Sequence, residues 1–337
     1  MKARILFILK QFHLYGNYAQ RPSSGLVNSA RMVVDMLNSI GFTAALVEVN
    51  DNNDIDREVT GFRPTHVVIE ALWVVPEKFA VLIPLHPTVR WWVRLHSEIP
   101  FLANEGMAMD WIWRYIQYPQ VKVAVNSPRI HDDLLGVGIP TLLLPNYYRI
   151  DPDGHRVSCP DPGSKILQVA CFGAIRPLKN QLLQAMAAIR VANQRKQTLV
   201  FHVNGDRCEM EGENILKNLR ALFAGGPHVL MEHAWQTHDA LMAILRLVDV
   251  GMQVSFTETF DITAADMLAA GLPIVVSREI AWASPLVRAE TTSGEDIASK
   301  LTFVLGGHGE GLRRQSLLGL SAANIVAQNR WREALER

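Results

Sequence analysis

Short apolar runs rich in Val, Ile and Leu recur along this chain, each followed by a polar loop and then by a stretch whose apolar residues return every three or four positions. Brief apolar runs between turn residues predict strands buried on both faces, and the longer spacing predicts amphipathic helices. In the first half, strands are expected at residues 3–9, 43–49, 65–69, 88–95, 121–125 and 141–144. Ser24 or Gly25 opens a helix whose apolar face is Leu26, Ala30, Val33, Val34 and Leu37, and a shorter helix is expected at 128–135. Residues 151–164, rich in Pro, Gly and Asp, have linker composition. The alternation then restarts. Strands are expected at 166–172, 198–203, 228–232, 250–254 and 274–276, helices at 181–192, 214–223 and 239–247, and a terminal helix at 317–335.

This rhythm predicts an α/β chain with two Rossmann-like, doubly wound parallel-sheet domains. The expected division is an N-terminal domain at 1–148, a linker at 149–165, a C-terminal domain at 166–315 and a final helix at 316–337. The apolar start, Ile5 to Leu9, is too short for a signal sequence and no small-residue cleavage site follows it. The apolar region at 67–85 is interrupted by Glu70, Pro76, Glu77 and Lys78, so no membrane-spanning helix is expected.

Composition changes this picture little. Of 337 residues 49% are hydrophobic, enough for two cores, and Lys plus Arg equals Asp plus Glu at 33 each. No overall basic excess points to nucleic acid or an anionic membrane. Cys159, Cys171 and Cys208 show neither metal-ligand spacing nor an even count, which fits a reduced, cytoplasmic protein.

The densest candidate chemistry lies in residues 255–277, SFTETFDITAADMLAAGLPIVVS. It reads as a loop, a short helix capped by Asp261 or Thr263, a turn at Gly271 and Pro273, and a buried strand. Glu258 precedes the helix and Asp266 lies in its second turn, with seven residues between them. Backbone N–H groups of a helix start, flanked by acids, suit an anion whose sugar hydroxyls need acceptors, as in a nucleotide-sugar. The same spacing also fits an ordinary strand–helix–strand unit in which Glu258 is a solvated loop charge.

The stretch resembles the E-x7-E region of retaining GT-B-fold glycosyltransferases, above all glycosyltransferase family four. That region commonly reads E-G-F-G, then a helix carrying a second Glu, then G-x-P-V-I. Here Glu258, Phe260, Gly271 and Pro273 match, Asp266 replaces the second Glu, and Thr259 and Asp261 replace the two glycines. A second motif, F-G-A-I-R-P-L-K-N from Phe172 to Asn180, is similar to the family's phosphate-binding loop. Lys179 takes the usual Lys position, while Arg176 stands three residues before it rather than directly after Gly173. Read without the family, it is also a solvated basic loop.

The resemblance implies two domains facing across a cleft, and transfer of a sugar from a nucleoside diphosphate to an acceptor hydroxyl with retention, needing neither metal nor other cofactor. Arg176 and Lys179 would hold the diphosphate. Glu258 would orient the sugar and Asp266 would reach the ribose. Gly173, Thr259, Phe260, Ile262 and Thr263, together with Asp261, would complete the donor site, and UDP or GDP is the expected donor nucleotide. His96, after an expected strand, stands where the family places a His near the donor sugar; it is equally readable as a structural loop His. Ser24 and Gly25 are further candidates in a loop that the family turns toward donor or acceptor. The acceptor stays open among surface glycans, lipids, small molecules and hydroxymethylated DNA. A sugar-nucleotide epimerase of the same fold and a non-catalytic glycan or sugar-nucleotide binder are the alternatives. The metal-binding D-x-D pattern, at Asp54–Ile55–Asp56 and Asp151–Pro152–Asp153, lacks a supporting context, and His228, His233 and His238 read as incidental.

Overall fold

β-branched and apolar runs give strands covered on both faces, because every side chain of a central parallel strand meets a helix layer. The computed structural model describes residues 3–11, 25–150 and 163–336. It divides into two compact units: residues 25–149 and 323–336, with the first strand, form one, and residues 163–322 with Ile150 form the other. Ser24, Cys159, Asp151, Asp153 and most of the expected linker lie outside the described residues.

The first unit runs β1 (Arg4–Lys10), α1 (Gly25–Ser39), β2 (Thr43–Val49), α2 (Ile55–Phe62), β3 (His66–Glu70), α3 (Lys78–Leu85), β4 (Arg90–Leu95), α4 (Ile99–Leu102), α5 (Ala108–Tyr115), β5 (Val121–Val125), α6 (Pro128–Gly136) and β6 (Thr141–Leu143). Its six strands pair in parallel in the order β2-β1-β3-β4-β5-β6. One sheet face buries Leu6, Ile8, Val67, Ile69, Trp91 and Val93 with Phe79, Ile112 and Tyr115 from the helices. The other buries Ile5, Phe7, Leu9 and Trp92 against α1 and against Trp331 and Leu335 near the C-terminus. Trp331 donates its indole N–H to the Pro145 carbonyl at 2.9 Å, and Asn324 bonds both backbone groups of Tyr148 at 3.0 and 2.7 Å.

The second unit runs β7 (Ile166–Ala170), α7 (Gln181–Gln194), β8 (Thr198–Asn204), α8 (Gly212–Ala224), β9 (Val229–His233), α9 (His238–Leu245), β10 (Val250–Gln253), α10 (Ile262–Ala269), β11 (Ile274–Ser277), β12 (Arg288–Ala289) and α11 (Gly294–Phe303). Its sheet is also six-stranded and parallel, in the order β12-β11-β10-β7-β8-β9. The order reverses beside β7, so the loops after β7 and β10 open side by side at the carboxyl edge, the usual ligand position in such sheets. The last helix, α12 (Gly309–Glu336), supplies residues to both units.

The α/β class and both parallel sheets agree with the sequence reading. The helices α2, α3, α5 and α11 were not legible. α3 reads KFAVLIPL, with Pro84 inside it and a nearly continuous apolar run, so it carries no amphipathic period. α12 begins at Gly309, eight residues before the expected start, because Gly309 and Gly311 mask its first turn. None of the described helices is long and apolar enough to cross a membrane.

Candidate functional site

The loop after β7 turns at Gly173, whose φ of +114° favours a residue without a Cβ. Its N–H donates to the Asn204 side chain at the end of β8, at 2.9 Å. The chain then passes Arg176 into a single tight turn, Pro177–Lys179, and enters α7 through Asn180 in the left-handed region at φ +56°. The Asn180 amide donates to the carbonyls of Val254 and Thr291 at 3.2 and 2.8 Å. Gln184 clips the two loops together: its amide N–H donates to the Lys179 carbonyl at 2.8 Å and its oxygen accepts from the Val254 N–H at 2.9 Å. Phe256 adds a backbone bond to Leu178 at 2.9 Å. Gln184, which makes the clip, reads in the sequence as an ordinary helix residue.

So clipped, the loops bring Lys179 Nζ to 2.5 Å from Glu258 Oε1 and 3.3 Å from Asp261 Oδ2. Lys179 is buried, as is Asp261. Burial alone would discharge the lysine, yet the charges of Asp261 and Glu258 outweigh it and hold the ammonium above its ordinary value. Burial likewise opposes ionisation of Glu258, but Lys179 and Arg176 bring its carboxyl below the usual range. Asp261 goes the other way: burial, only partly offset by Lys179 and reinforced by the Glu258 charge, pushes it up to about 6. Two carboxylates sharing one lysine cannot both be satisfied.

Asp261 stands at φ +59°, ψ +86°, the left-handed conformation that glycine adopts freely and that Asp tolerates better than most residues. The backbone at this position therefore takes a glycine-like path although the side chain is Asp. One carboxylate oxygen caps α10 by accepting from the Ala264 N–H at 3.0 Å, while the other faces Lys179. Thr259, Ile262 and Thr263 are half-buried around this turn. Phe260 is turned inward against Trp282, whose indole N–H donates to the Phe260 carbonyl at 2.7 Å. Asp266 is buried and pairs with His238 Nε2 at 2.8 Å.

Arg176 lies beside this cluster and bridges to Glu209 at 3.3 Å. Glu209 also holds Arg207 at 2.6 Å, and the Arg207 guanidinium lies 3.5 Å from the centre of the Trp235 ring. Glu209, Arg207 and Trp235 escaped sequence reading, and His238 reads there as incidental. Their common signal is position: all follow the carboxyl ends of β8 and β9. The three histidines read as incidental each have a structural partner, His228 with the Leu199 N–H at 3.0 Å, His233 with His202 at 2.9 Å, and His238 with Asp266.

His96 belongs to the first unit and to a different network. Glu70 ends β3 and is the register partner of Arg94 in β4. Arg94 donates to both Glu70 oxygens at 3.1 and 3.2 Å, to the Leu144 carbonyl at 2.9 Å and to Asn146 at 2.5 Å. The His96 Nε2 also bonds Glu70, and Asn126 lies 3.4 Å from its Nδ1. Burial would raise the Glu70 carboxyl, but Arg94 and His96 hold it below the ordinary range; burial lowers the His96 ring towards the neutral form. Of the sequence candidates, then, Gly173, Lys179, Glu258 and Asp261 gather at one place with Arg176 alongside. Asp266 is near them but pairs elsewhere, and His96 sits in the first unit. Gly25 is only the first residue of α1. Asp54 and Asp56 do not converge: Asp54 accepts from the Asn50 N–H and Asp56 bonds His86.

A family model described as family 4 glycosyltransferase in conflict systems matches residues 129–337, more than half of the chain. No curated protein matches the chain by sequence. Among solved structures, the α,α-trehalose-phosphate synthase (UDP-forming) from Burkholderia xenovorans in complex with glucose-6-phosphate superposes with a TM-score of 0.71 at 11% identity, over 99% of this chain and 100% of that one. The corresponding Burkholderia vietnamiensis synthase gives 0.69 at 11% identity, over 100% and 97%. The E. coli trehalose-6-phosphate protein bound with UDP-2-fluoro glucose gives 0.69 at 13% identity, over 99% of both chains. At these identities the likeness establishes the GT-B fold.

Proposed function

We propose a specific sugar transfer for this chain, which belongs to the family 4 glycosyltransferases in conflict systems: a sugar passes from a nucleoside diphosphate to an acceptor hydroxyl with its anomeric configuration retained. The observation that carries this reading is the buried Lys179 held by Glu258 and Asp261 at the start of α10, with Arg176 beside it. Two cations and a helix start stabilise the negative charge that develops on a departing diphosphate, the kind of stabilisation that contributes most in many enzymes. A donor diphosphate competes with the two carboxylates for Lys179, which frees Glu258 to accept from sugar hydroxyls. Asp261 carries the shifted carboxyl, so it is the acid that gains a proton first when Lys179 turns to phosphate.

Retention without a protein nucleophile follows if the acceptor enters on the face the diphosphate leaves, a phosphate oxygen taking the acceptor proton. The cationic side chains do the work that a metal does elsewhere, so transfer proceeds in the presence of a chelator. That the structural relatives are described with a UDP-sugar analogue and with glucose-6-phosphate supports a nucleotide-sugar donor and leaves the acceptor open. The test is incubation with a panel of UDP-, GDP- and ADP-sugars in EDTA, with and without candidate acceptor hydroxyls. Acceptor-dependent release of one nucleoside diphosphate and a product of unchanged anomeric configuration by NMR are expected. Release without acceptor, an inverted product or loss of turnover in EDTA would each contradict part of the reading.

A further inference from the structure

On the α1 side of the first sheet, the described residues leave a groove of about 600 Å³ over β4 to β6. The leucines at 142–144 line it, with Ala334 from α12, and every lining residue belongs to the first unit. Two of its cations are unmatched. Arg90 opens β4, and Lys122 is the register partner of Trp92 two residues further on. The two therefore lie diagonally on one face, with about 8 Å between their Cα atoms by strand geometry. Both are exposed, and neither side chain forms a hydrogen bond or an ion pair among the described residues. The one acid that lines the groove, Glu333, pairs with Arg330 at 3.8 Å. The positive field reaches inward. His66, the register partner of Arg90, is buried with its ring 4.9 Å from that of Trp92, and burial together with the Arg90 and Lys122 charges lowers it to about 4.

We propose that this groove binds an organic phosphate with an aliphatic body, at a site that shares no residue with the Lys179 cluster. The proposal stands without the nucleotide-sugar reading. Like charges on neighbouring strands repel, and with no carboxylate at either, Arg90 and Lys122 suit a dianion better than a single carboxylate. The planar fork of Arg90 matches two phosphate oxygens, and Lys122 reaches a third as a point charge. The body follows from the apolar lining. Leucine and alanine side chains offer aliphatic surface, whereas Trp92 is 2% exposed and presents no ring face on which a base could stack. A nucleic-acid strand is bound by stacking platforms along a continuous basic track, and this concave, leucine-lined groove has neither.

The experiment is calorimetric titration of wild type, Arg90→Glu, Lys122→Glu, Glu333→Gln and Lys217→Glu. The probes are n-hexyl phosphate, hexanoate, inorganic phosphate and a short single-stranded oligonucleotide. Lys217 is an exposed residue of α8, so its reversal makes the same change of net charge in the second unit. Wild type is expected to bind hexyl phosphate at least about tenfold more tightly than inorganic phosphate, since each buried methylene contributes about fourfold. Hexanoate should bind more weakly than hexyl phosphate. Arg90→Glu and Lys122→Glu should each weaken hexyl phosphate by about tenfold or more, the worth of a charged hydrogen bond, and Lys217→Glu should leave it unchanged. Glu333→Gln frees Arg330 and should tighten binding by about two- to threefold, a gain that a misfolded variant does not give. Equal affinity for hexyl phosphate and inorganic phosphate would reveal a bare anion patch, and equal affinity for hexanoate a carboxylate site. Tighter binding of the oligonucleotide, lost in Lys122→Glu, would reveal a nucleic-acid surface. Each of these overturns the proposal, as does hexyl phosphate that fails to bind or binds the two charge-reversed groove variants as it binds wild type.

Discussion

Both units place a buried charge cluster at the carboxyl edge of a parallel sheet, but one cluster is closed and the other is strained. In the first unit Arg94 and Glu70 are both fully buried, and Arg94 spends its donors on Glu70, Leu144 and Asn146. In the second, a single lysine serves two carboxylates, and one of these has its pKa pushed up to about 6. A buried guanidinium whose three nitrogens are divided among a carboxylate, a carbonyl and a side-chain amide oxygen gives a permanent framework, whereas an ammonium shared by competing acids can be taken by an incoming anion. The difference separates a network that shapes a unit from one that, on the function proposed above, binds the donor.

Breaking the closed network should cost most. Glu70→Leu or Arg94→Leu leaves an uncompensated buried charge and is expected to lower stability by about 3–5 kcal/mol in urea unfolding, while the double replacement should cost less than either single one. A double cost equal to the sum of the two single costs would show that the pair does not act as a unit. In the strained cluster, Lys179→Ala should act on function first. It is expected to lower donor turnover by about 10²–10³, as loss of one charge-stabilising group does, with a smaller loss of stability because Asp261 can take up a proton.

The pH dependence sharpens the contrast. The folded state holds the Asp261 proton up to about pH 6, above the ordinary value of 3.8, so its contribution to stability is present below the ordinary value and is lost as pH rises through 6. Glu258, held below its ordinary value of 4.5, contributes above that value and loses its contribution as pH falls below it. Asp261→Asn mimics the protonated form and keeps an oxygen for the cap. It should match wild type near pH 4 and exceed it at pH 7 by on the order of 2 kcal/mol. Parallel stability curves for the two proteins would contradict the assignment. The smallest effect is expected for Asp261→Gly at pH 4, where Asp261 is largely protonated in the folded state; Gly suits φ +59° and should cost only a few tenths of a kcal/mol through the cap. Asp261→Ala loses the cap in a conformation Ala disfavours, and should cost about 1–2 kcal/mol more in the same urea assay.

The two clusters were unequally legible for a physical reason. Lys179, Glu258 and Asp261 come from two contiguous motifs, each carrying its own turn and helix-start chemistry, and the parallel sheet alone sets β7 beside β10. Glu70, Arg94, Asn126 and Asn146 come from the ends of four strands, and no local pattern marks a lone Glu or Arg inside an apolar run as a partner in the next strand. His96 was visible only as the first polar residue after such a run. Asp261 illustrates a subtler limit: it replaces a motif glycine, yet its backbone is left-handed and its carboxyl stands beside Lys179, neither of which the substitution alone reveals. His238 reads as incidental because its partner, Asp266, belongs to the neighbouring helix and leaves no local pattern.

The central claim, that the Lys179 cluster is where the donor diphosphate binds, is tested most directly by calorimetric titration of nucleoside diphosphates into wild type and Lys179→Ala at pH 7. Wild type should bind one of UDP, GDP or ADP, and Lys179→Ala should bind it at least about tenfold more weakly, a difference of about 1.4 kcal/mol or more. Equal affinity in the two proteins, or no binding of any nucleoside diphosphate by wild type, would contradict it.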